Sequence, residues 1–340
     1  MDLEDIYDPL PGMVDDREVI LGDIFTDQDS NDDGTFGDIP KADNGSKGDE
    51  ISFEIEPFEN VFSSVPIIGI RRHRLLTDGN GVTTLVAFHG CPLSCKYCIN
   101  PQCHESEGIV HFINPKQLYE HVKIDDIYFQ STGGGIVFGG GEPLIYADFI
   151  NHFYEICYND GWKLSVETSL NVNQNYLLDV ISVIDEFIVD IKDMDSLTYK
   201  NYTGIENENV VKNLKLLKDY GMEEKVIIRI PLIPGYNDAN SQNASIAMLK
   251  EMGFSRFDQF CYTISKEYVK TGEKTIGKAI CEVLKNIRKT VADANNIIYY
   301  PDNCRHQGGC PGTCPKCEEE LRLLTEELLD RKSRGISIYL

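Results

Sequence analysis

What the chain lacks narrows its class before any motif is read. No apolar run approaches the ~20 residues that cross a bilayer, so no membrane-spanning helix is expected. The opening residues, Met1-Asp-Leu-Glu-Asp5, lack the basic and apolar regions of a secretory signal. Basic charge is scarce: 32 Lys and Arg stand against 55 Asp and Glu, a formal net charge of −23. General nucleic-acid binding needs a basic footprint, and this balance argues against it.

The acidity is uneven. Residues 1–50 hold 16 Asp and Glu against 3 Lys and Arg, with many Gly, Asn and Ser and no lasting hydrophobic period. Such composition cannot bury a core, so this stretch is expected to be a disordered or extended acidic leader. Within it, Asp29-Ser-Asn31-Asp-Asp33-Gly34 copies the first half of a calcium loop. The twelfth position, where a bidentate Glu belongs, is Pro40, which argues against calcium.

The 11 cysteines are what the chain does have. Seven fall in two tight clusters and four are scattered, which suits metal ligation in a reducing cytoplasm better than disulfides. The first cluster is Cys91-Pro-Leu-Ser-Cys95-Lys-Tyr-Cys98, a C-x3-C-x2-C run directly after the apolar residues 84–88. A cubane 4Fe-4S cluster wants four thiolates. Three on one short loop leave one iron open for a small ligand. A zinc knuckle is the alternative, although zinc sites usually pair C-x2-C units into four ligands.

From about residue 82, strand-like and helix-like runs alternate. Strands are predicted at 84–88, 135–138, 163–167, 187–191, 225–230 and 258–262. Helices are predicted near 115–123, 146–158, 173–182, 208–220, 240–252 and 274–290, with Gly161, Gly221 and Gly253 at helix ends. Six β-then-α units imply an α/β fold with a parallel sheet, either doubly wound or a partial barrel. Ligands in such folds gather at the C-terminal ends of strands. There lie the cysteine loop, the glycine turn Gly139-Gly-Gly-Glu142-Pro, the pairs Glu167-Thr168 and Asp190-x-Lys192, and Arg229. The acid–lysine pair could be a plain salt bridge, and Arg229 could clamp a carboxylate or offset nearby acids. Tyr97 could flank an adenine ring or simply pack.

The cysteine spacing, followed by Gly-Gly-Glu-Pro, resembles the radical S-adenosylmethionine (SAM) enzymes. Residues 72–101 narrow the resemblance to glycyl-radical-enzyme activases such as pyruvate formate-lyase activating enzyme: an Asp78-Gly-x-Gly81 segment, then G-C-P-L-x-C-x-Y-C-x-N-P. The motifs E-T-S, D-I-K and R-I-P-L-I-P-G-Y-N-D follow in activase order, so the likeness covers about residues 68–265. It implies a partial (β/α)6 barrel. It implies a 4Fe-4S cluster on Cys91, Cys95 and Cys98 whose open iron chelates SAM. Gly139, Gly140, Gly141 and Glu142 would then take the methionyl amino end, and Glu167, Thr168, Asp190 and Lys192 the region of the methionyl carboxylate and a monovalent cation. The radical step needs no side chain as acid or base. Thr83 and Thr263 depart from the Arg and His that this family usually carries there.

A second set, Cys304-x5-Cys310-x3-Cys314-x2-Cys317, can close a second 4Fe-4S cluster near the barrel mouth, or a four-thiolate zinc site. Cys157, Cys261 and Cys281 read as core, and Cys103 has no evident role. The domains are expected as the leader (1–50), the radical SAM barrel (51–292) and a C-terminal appendage (293–340). The resemblance implies hydrogen abstraction from a protein, best a glycyl-radical enzyme, in an anaerobic cytoplasm, with flavodoxin or ferredoxin as electron donor. The second cysteine set leaves open a peptide maturase. A non-catalytic iron–sulfur or zinc scaffold is the third reading, and the Gly-Gly-Glu-Pro and Asp-x-Lys motifs argue against it.

Overall fold

The structure, a computed structural model, describes residues 63–75, 78–262, 269–301 and 314–340, with the backbone alone at 269–277. The expected leader, the residues 29–34 loop, Thr263, Cys304 and Cys310 lie outside the described residues.

Six strands run parallel in one sheet: β2 (Val82–Phe88), β4 (Gly135–Gly140), β5 (Lys163–Thr168), β6 (Glu186–Asp190), β7 (Val226–Leu232) and β8 (Arg256–Cys261). In β2, β4, β5 and β6 the apolar residues are buried on both faces, as in parallel sheets generally, whereas β8 at the edge is only half-buried. On the helix-covered face, Val86, Phe88, Phe138, Val166, Phe187, Val189, Ile228 and Ile230 join one large core. By strand alternation the opposite face of β2 and β4 carries Leu85, Ala87 and Val137, which pack with Ile68 and Cys103. This is a partly open (β/α)6 barrel.

The sequence signals also miss two strands. β1 (Val65–Leu75) pairs antiparallel with β2 and with β3 (His111–Ile113), extending the sheet to eight strands. The pattern of β1 is broken because its register shifts twice, between Ile67 and Gly69 and between Arg71 and Arg74, and His73 adopts φ 58°.

The helices are α1 (Pro115–Val122), α2 (Asp126–Thr132), α3 (Ala147–Cys157), α4 (Gln174–Val180), α5 (Ser196–Thr203), α6 (Glu208–Asp219), α7 (Ala239–Glu251), α8 (Val269–Ala294) and α9 (Pro315–Ser333). All six helices expected among the strands are present, and α9 covers the charged, leucine-patterned run at about 317–332 that also reads as helix. α2 and α5, at seven and eight residues too short to show a period, were not expected. Gly161, Gly221 and Gly253 hold φ of 74°, 67° and 101°, the left-handed turn that ends a helix.

The C-terminal segment is not a loose appendage. Leu321, Leu324 and Leu328 of α9 bury against Leu284, Ile287 and Val291 of α8, and against Leu75, Val82, Ile127 and Tyr128 of the barrel. Val82 begins β2 and Leu75 is its register partner, so α9 docks at the N-terminal end of the sheet. Among the described residues no helix is long and apolar enough to cross a membrane.

Candidate cluster and cofactor site

The cysteine loop leaves the C-terminal end of β2 and is pinned on three sides. Gly90 N–H donates to Cys103 O at 2.8 Å, Ser94 N–H to Thr203 O at 2.8 Å and Lys96 N–H to Tyr202 O at 3.1 Å. Helix α5 is therefore a wall of the site. Toward β4, Gly141 N–H donates to Phe88 O at 2.9 Å and Glu142 N–H to Gly90 O at 2.8 Å. Asn100 Nδ2 adds a bond to Gly140 O at 2.9 Å. A Cβ on Gly141 would sit 2.1 Å from Gly90 O, and one on Gly140 2.7 Å from Ala87 Cα, where φ is also 89°. The glycines are thus required first by the close approach of the cysteine loop, and only glycine fits.

Cys91, Cys95 and Cys98 are all partly exposed on this loop. Burial, with Glu142 next, pushes the Cys91 thiol up to about 12. Burial takes Cys95 to about 11, opposed by Lys192. Cys98 behaves oppositely: a hydrogen bond from Cys103 draws it down to about 6 against burial. The ligating atoms of Cys98, Cys103 and His104 lie within 4.8 Å of one another. Cys103, without a role in the sequence, is thus the polar partner of a cluster cysteine.

Glu142 is 1% exposed and bound on both carboxylate oxygens. It accepts from Thr168 Oγ1 (2.6 Å), Ser169 Oγ (2.7 Å), Ser169 N–H (3.0 Å) and Leu144 N–H (3.3 Å). Burial raises its carboxyl above the ordinary range despite those donors. Ser169 closes the E-T-S motif, but its hold on Glu142 was not expected.

Asp190 and Lys192 come together at the end of β6. Lys192 Nζ contacts Asp190 and donates to Tyr262 OH at 2.9 Å. Burial opposes the ammonium charge, but Asp190 and Tyr262 outweigh it and hold Lys192 well above its usual value. Asp190 Oδ1 is buried with no hydrogen-bond partner among the described residues. A buried carboxylate oxygen left this way is costly and suits a ligand or cation.

Arg229 on β7 faces acids: it contacts Glu167, and lies 3.6 Å from both Asp78 and Asp258. Burial disfavours its charge, and Glu167 and Asp78 raise its value regardless. Asp78 in turn accepts from Arg74 Nη2 at 2.8 Å. Arg229 therefore offsets neighbouring acids, the second of its two sequence readings. Tyr97 is 37% exposed and belongs to an aromatic patch, its ring centroid 5.7 Å from Tyr236 and 6.1 Å from Tyr202.

The structure thus gathers Cys91, Cys95, Cys98, Gly139, Gly140, Gly141, Glu142, Glu167, Thr168, Asp190, Lys192, Arg229 and Tyr97 at one end of the sheet. It does not bring Cys314 and Cys317 there. Cys317 is buried in the first turn of α9, and Glu318 beside it meets Arg72 of β1. The expectation of a second centre near the barrel mouth is corrected. The leucine stripe of α9 takes it to the apolar surface at the other end of β2, about 20 Å away along a seven-residue strand. Cys157 and Cys281 are buried as expected, whereas Cys261 is exposed because β8 is an edge strand.

Three thiols on one loop, a glycine turn packed against it and an orphaned carboxylate oxygen fit an open-site iron–sulfur cluster with a bound SAM. Comparison with known proteins agrees. Residues 85–243 match the family model of the radical SAM superfamily. The chain is 31% identical over 199 residues to the pyruvate formate-lyase 2-activating enzyme of Escherichia coli (strain K12), covering 50% of this chain and 67% of that one. It is 27% identical over 238 residues to the (2S)-3-sulfopropanediol dehydratase activating enzyme of Klebsiella oxytoca (52% and 74% covered). It is 26% identical over 298 residues to the 4-hydroxyphenylacetate decarboxylase activating enzyme of Clostridium scatologenes (66% and 94%). The chain belongs to the radical SAM superfamily. Within it, it is an enzyme of the glycyl-radical activating type, with a 4Fe-4S cluster and SAM as cofactors.

Proposed function

We propose that the substrate is a glycine Cα–H on a partner glycyl-radical enzyme, and that the partner docks at the mouth formed by the cysteine loop and the ends of β4 to β7. The kinship with three activating enzymes carries this reading. Cys91, Cys95 and Cys98 hold the cluster. When bound and reduced, the cluster and SAM supply a 5′-deoxyadenosyl radical that abstracts hydrogen. The chain's own residues position that chemistry. The main chain of Gly139, Gly140 and Gly141 takes the methionyl amino end, and Glu142 holds the turn to Thr168 and Ser169. Asp190 and Lys192 face the methionyl carboxylate and a cation, with Glu167 balanced by Arg229, and Tyr97 flanks the adenine. Flavodoxin or ferredoxin supplies the electron, in an anaerobic cytoplasm. The boundaries proposed are the leader to residue 50, the barrel to residue 292, and a C-terminal unit carrying a second metal centre on Cys304, Cys310, Cys314 and Cys317.

The test is anaerobic incubation of the reduced protein and SAM with a glycyl-radical enzyme encoded beside it. A doublet glycyl-radical signal in electron paramagnetic resonance, formed with stoichiometric 5′-deoxyadenosine, is expected. Rapid cofactor cleavage without any protein radical would overturn the substrate assignment and leave the cluster intact.

A further inference from the structure

The turn that follows β5 is strained. Leu170 takes φ 55°, and among the described residues only His73 and Asn296 are other non-glycine residues with a positive φ. In that region the Cβ of an L residue crowds its own backbone, so the surroundings must hold the conformation.

The hold comes from α6. Asn213 Nδ2 donates to Leu170 O at 2.8 Å and to Val172 O at 2.9 Å. Both acceptors are carbonyls, so the donor must be the amide nitrogen. Asn213 is fully buried, and its Oδ1 has no hydrogen-bond partner among the described residues. A buried asparagine with half its amide unsatisfied is costly as core packing. The other buried residues of this helix, Val210, Leu214 and Leu217, are what packing alone selects.

The held turn reaches both sides of the cofactor site. On one side Ser169 gives its N–H and its hydroxyl to Glu142, which carries the glycine turn. On the other, Asn171 Nδ2 donates to Tyr199 OH at 3.1 Å and to Glu206 O at 2.8 Å. Tyr199 lies on α5, whose Thr203 O receives the cysteine loop at Ser94 N–H. Leu170 stands between these two anchors. Relaxing its φ to a negative value would rotate the chain on one side relative to the other, so Ser169 and Asn171 could not both keep their partners.

We propose that Asn213 is a positioning residue for SAM: it holds Leu170 in the left-handed turn, so that Ser169 and Asn171 fix the glycine turn and the cysteine loop relative to each other. This rests on reading the glycine turn as the seat of the methionyl amino end. Asn213 acts through the turn and not by contact with the cofactor.

Isothermal titration of SAM onto the reconstituted full-length protein tests this through a double-mutant cycle. Asn213→Leu keeps the core filled and removes the donor. It should weaken SAM binding roughly 10-fold, the loss of hydrogen bonds to buried carbonyls, with iron content at the parental level. In cleavage assays KM for SAM should rise while kcat stays near the parental value, because the cluster ligands are untouched. Leu170→Gly removes the strain that Asn213 restrains, since glycine takes this φ freely. In that background Asn213→Leu should weaken binding by less than about 3-fold, and the shortfall measures the coupling. Additive effects in the cycle would overturn the proposal. So would an Asn213→Leu protein with a lower melting temperature and an unchanged dissociation constant, which is a structural tie only.

Glu142→Ala tells this failure from that of the underlying reading. Weaker binding in Glu142→Ala with none lost in Asn213→Leu would sink the role of Asn213 alone. Unchanged binding in both would sink the glycine-turn reading with it. Should Asn213→Leu fail to fold, hydrogen exchange of the parent protein decides instead. SAM should slow exchange of the Ser169 and Leu170 amides by at least about 10-fold, as a ligand does for a segment it holds closed. Equal exchange with and without SAM would break the link between the turn and the cofactor.

Discussion

Thr168 donates to Glu142 at 2.6 Å, and this one bond locks the end of β5 to the glycine turn after β4. The same carboxylate receives Ser169 twice and Leu144 once, so four donors converge on a group that has no exposed surface to spare. Glu142→Ala should leave those donors unsatisfied, at about 1–3 kcal/mol for each that water cannot reach. A lowered melting temperature and weakened SAM binding are expected together. Unchanged stability in Glu142→Ala would show that the turn is held by its glycines alone.

Cys103 and the three loop cysteines should separate cleanly. Replacing Cys91, Cys95 or Cys98 by Ala removes a cluster ligand, and 5′-deoxyadenosine formation under dithionite should disappear. Cys103→Ala removes the hydrogen bond to Cys98 and some packing with Ile68 and Leu85, but no cluster ligand. That variant should keep about four irons, the count of one cubane, and should still cleave the cofactor. Loss of iron comparable to that in Cys95→Ala would place Cys103 among the ligands instead.

Asp190 carries a buried oxygen with no partner among the described residues, next to the charged Lys192. Asp190→Ala should weaken SAM binding by roughly 10-fold or more, the loss of one charged contact, while iron content stays at the parental level. Isothermal titration on the reconstituted protein reads this directly. An unaltered dissociation constant would reduce the pair to a rim salt bridge.

Much of this was legible in the sequence because the informative residues are local. The parallel strands announce themselves by apolar β-branched runs, and the loop cysteines by spacing alone. The antiparallel strand β1 did not, because its two register shifts break alternation and its arginines look like surface. Arg72 and Arg74 are in fact spent on Asp125 and Asp78. Ser169, Asn100 and Tyr262 act through partners 27, 40 and 70 residues away, a distance no motif spans. Cys281 is the sharpest case. Its neighbour Cys317 lies 36 residues on, and only the packing of α8 against α9 brings them together. The Glu142 carboxylate teaches the reverse lesson: its motif was plain, but its role as an anchor for β5 depends on Thr168 and Ser169 folding over it.

The junction between the barrel and α9 gives the last prediction, through Asp125. This fully buried carboxylate accepts from Arg72 Nε and Nη2 at 2.7 Å and meets His73 Nε2 at 2.8 Å, while Arg72 also reaches Glu318 on α9. Burial works against the charge, but the bonds from Arg72 and His73 prevail and hold Asp125 below the ordinary carboxylate range. An acid whose folded value is depressed stabilises the fold at every pH above its unfolded value, and loses that contribution as pH falls through the folded one. Asp125→Asn should therefore cost about 3–5 kcal/mol at neutral pH, as breaking a buried pair does. The difference in urea midpoint between parent and variant should stay level from pH 7 to about 5 and shrink only below the ordinary carboxylate value, about 4. A difference that already shrinks between pH 7 and 6 would mean that another titrating group governs the junction. Should α9 dock independently of Arg72 and Asp125, the variant would lose barrel stability while the α8–α9 seam, followed by hydrogen exchange of Leu321 and Leu324, stayed protected.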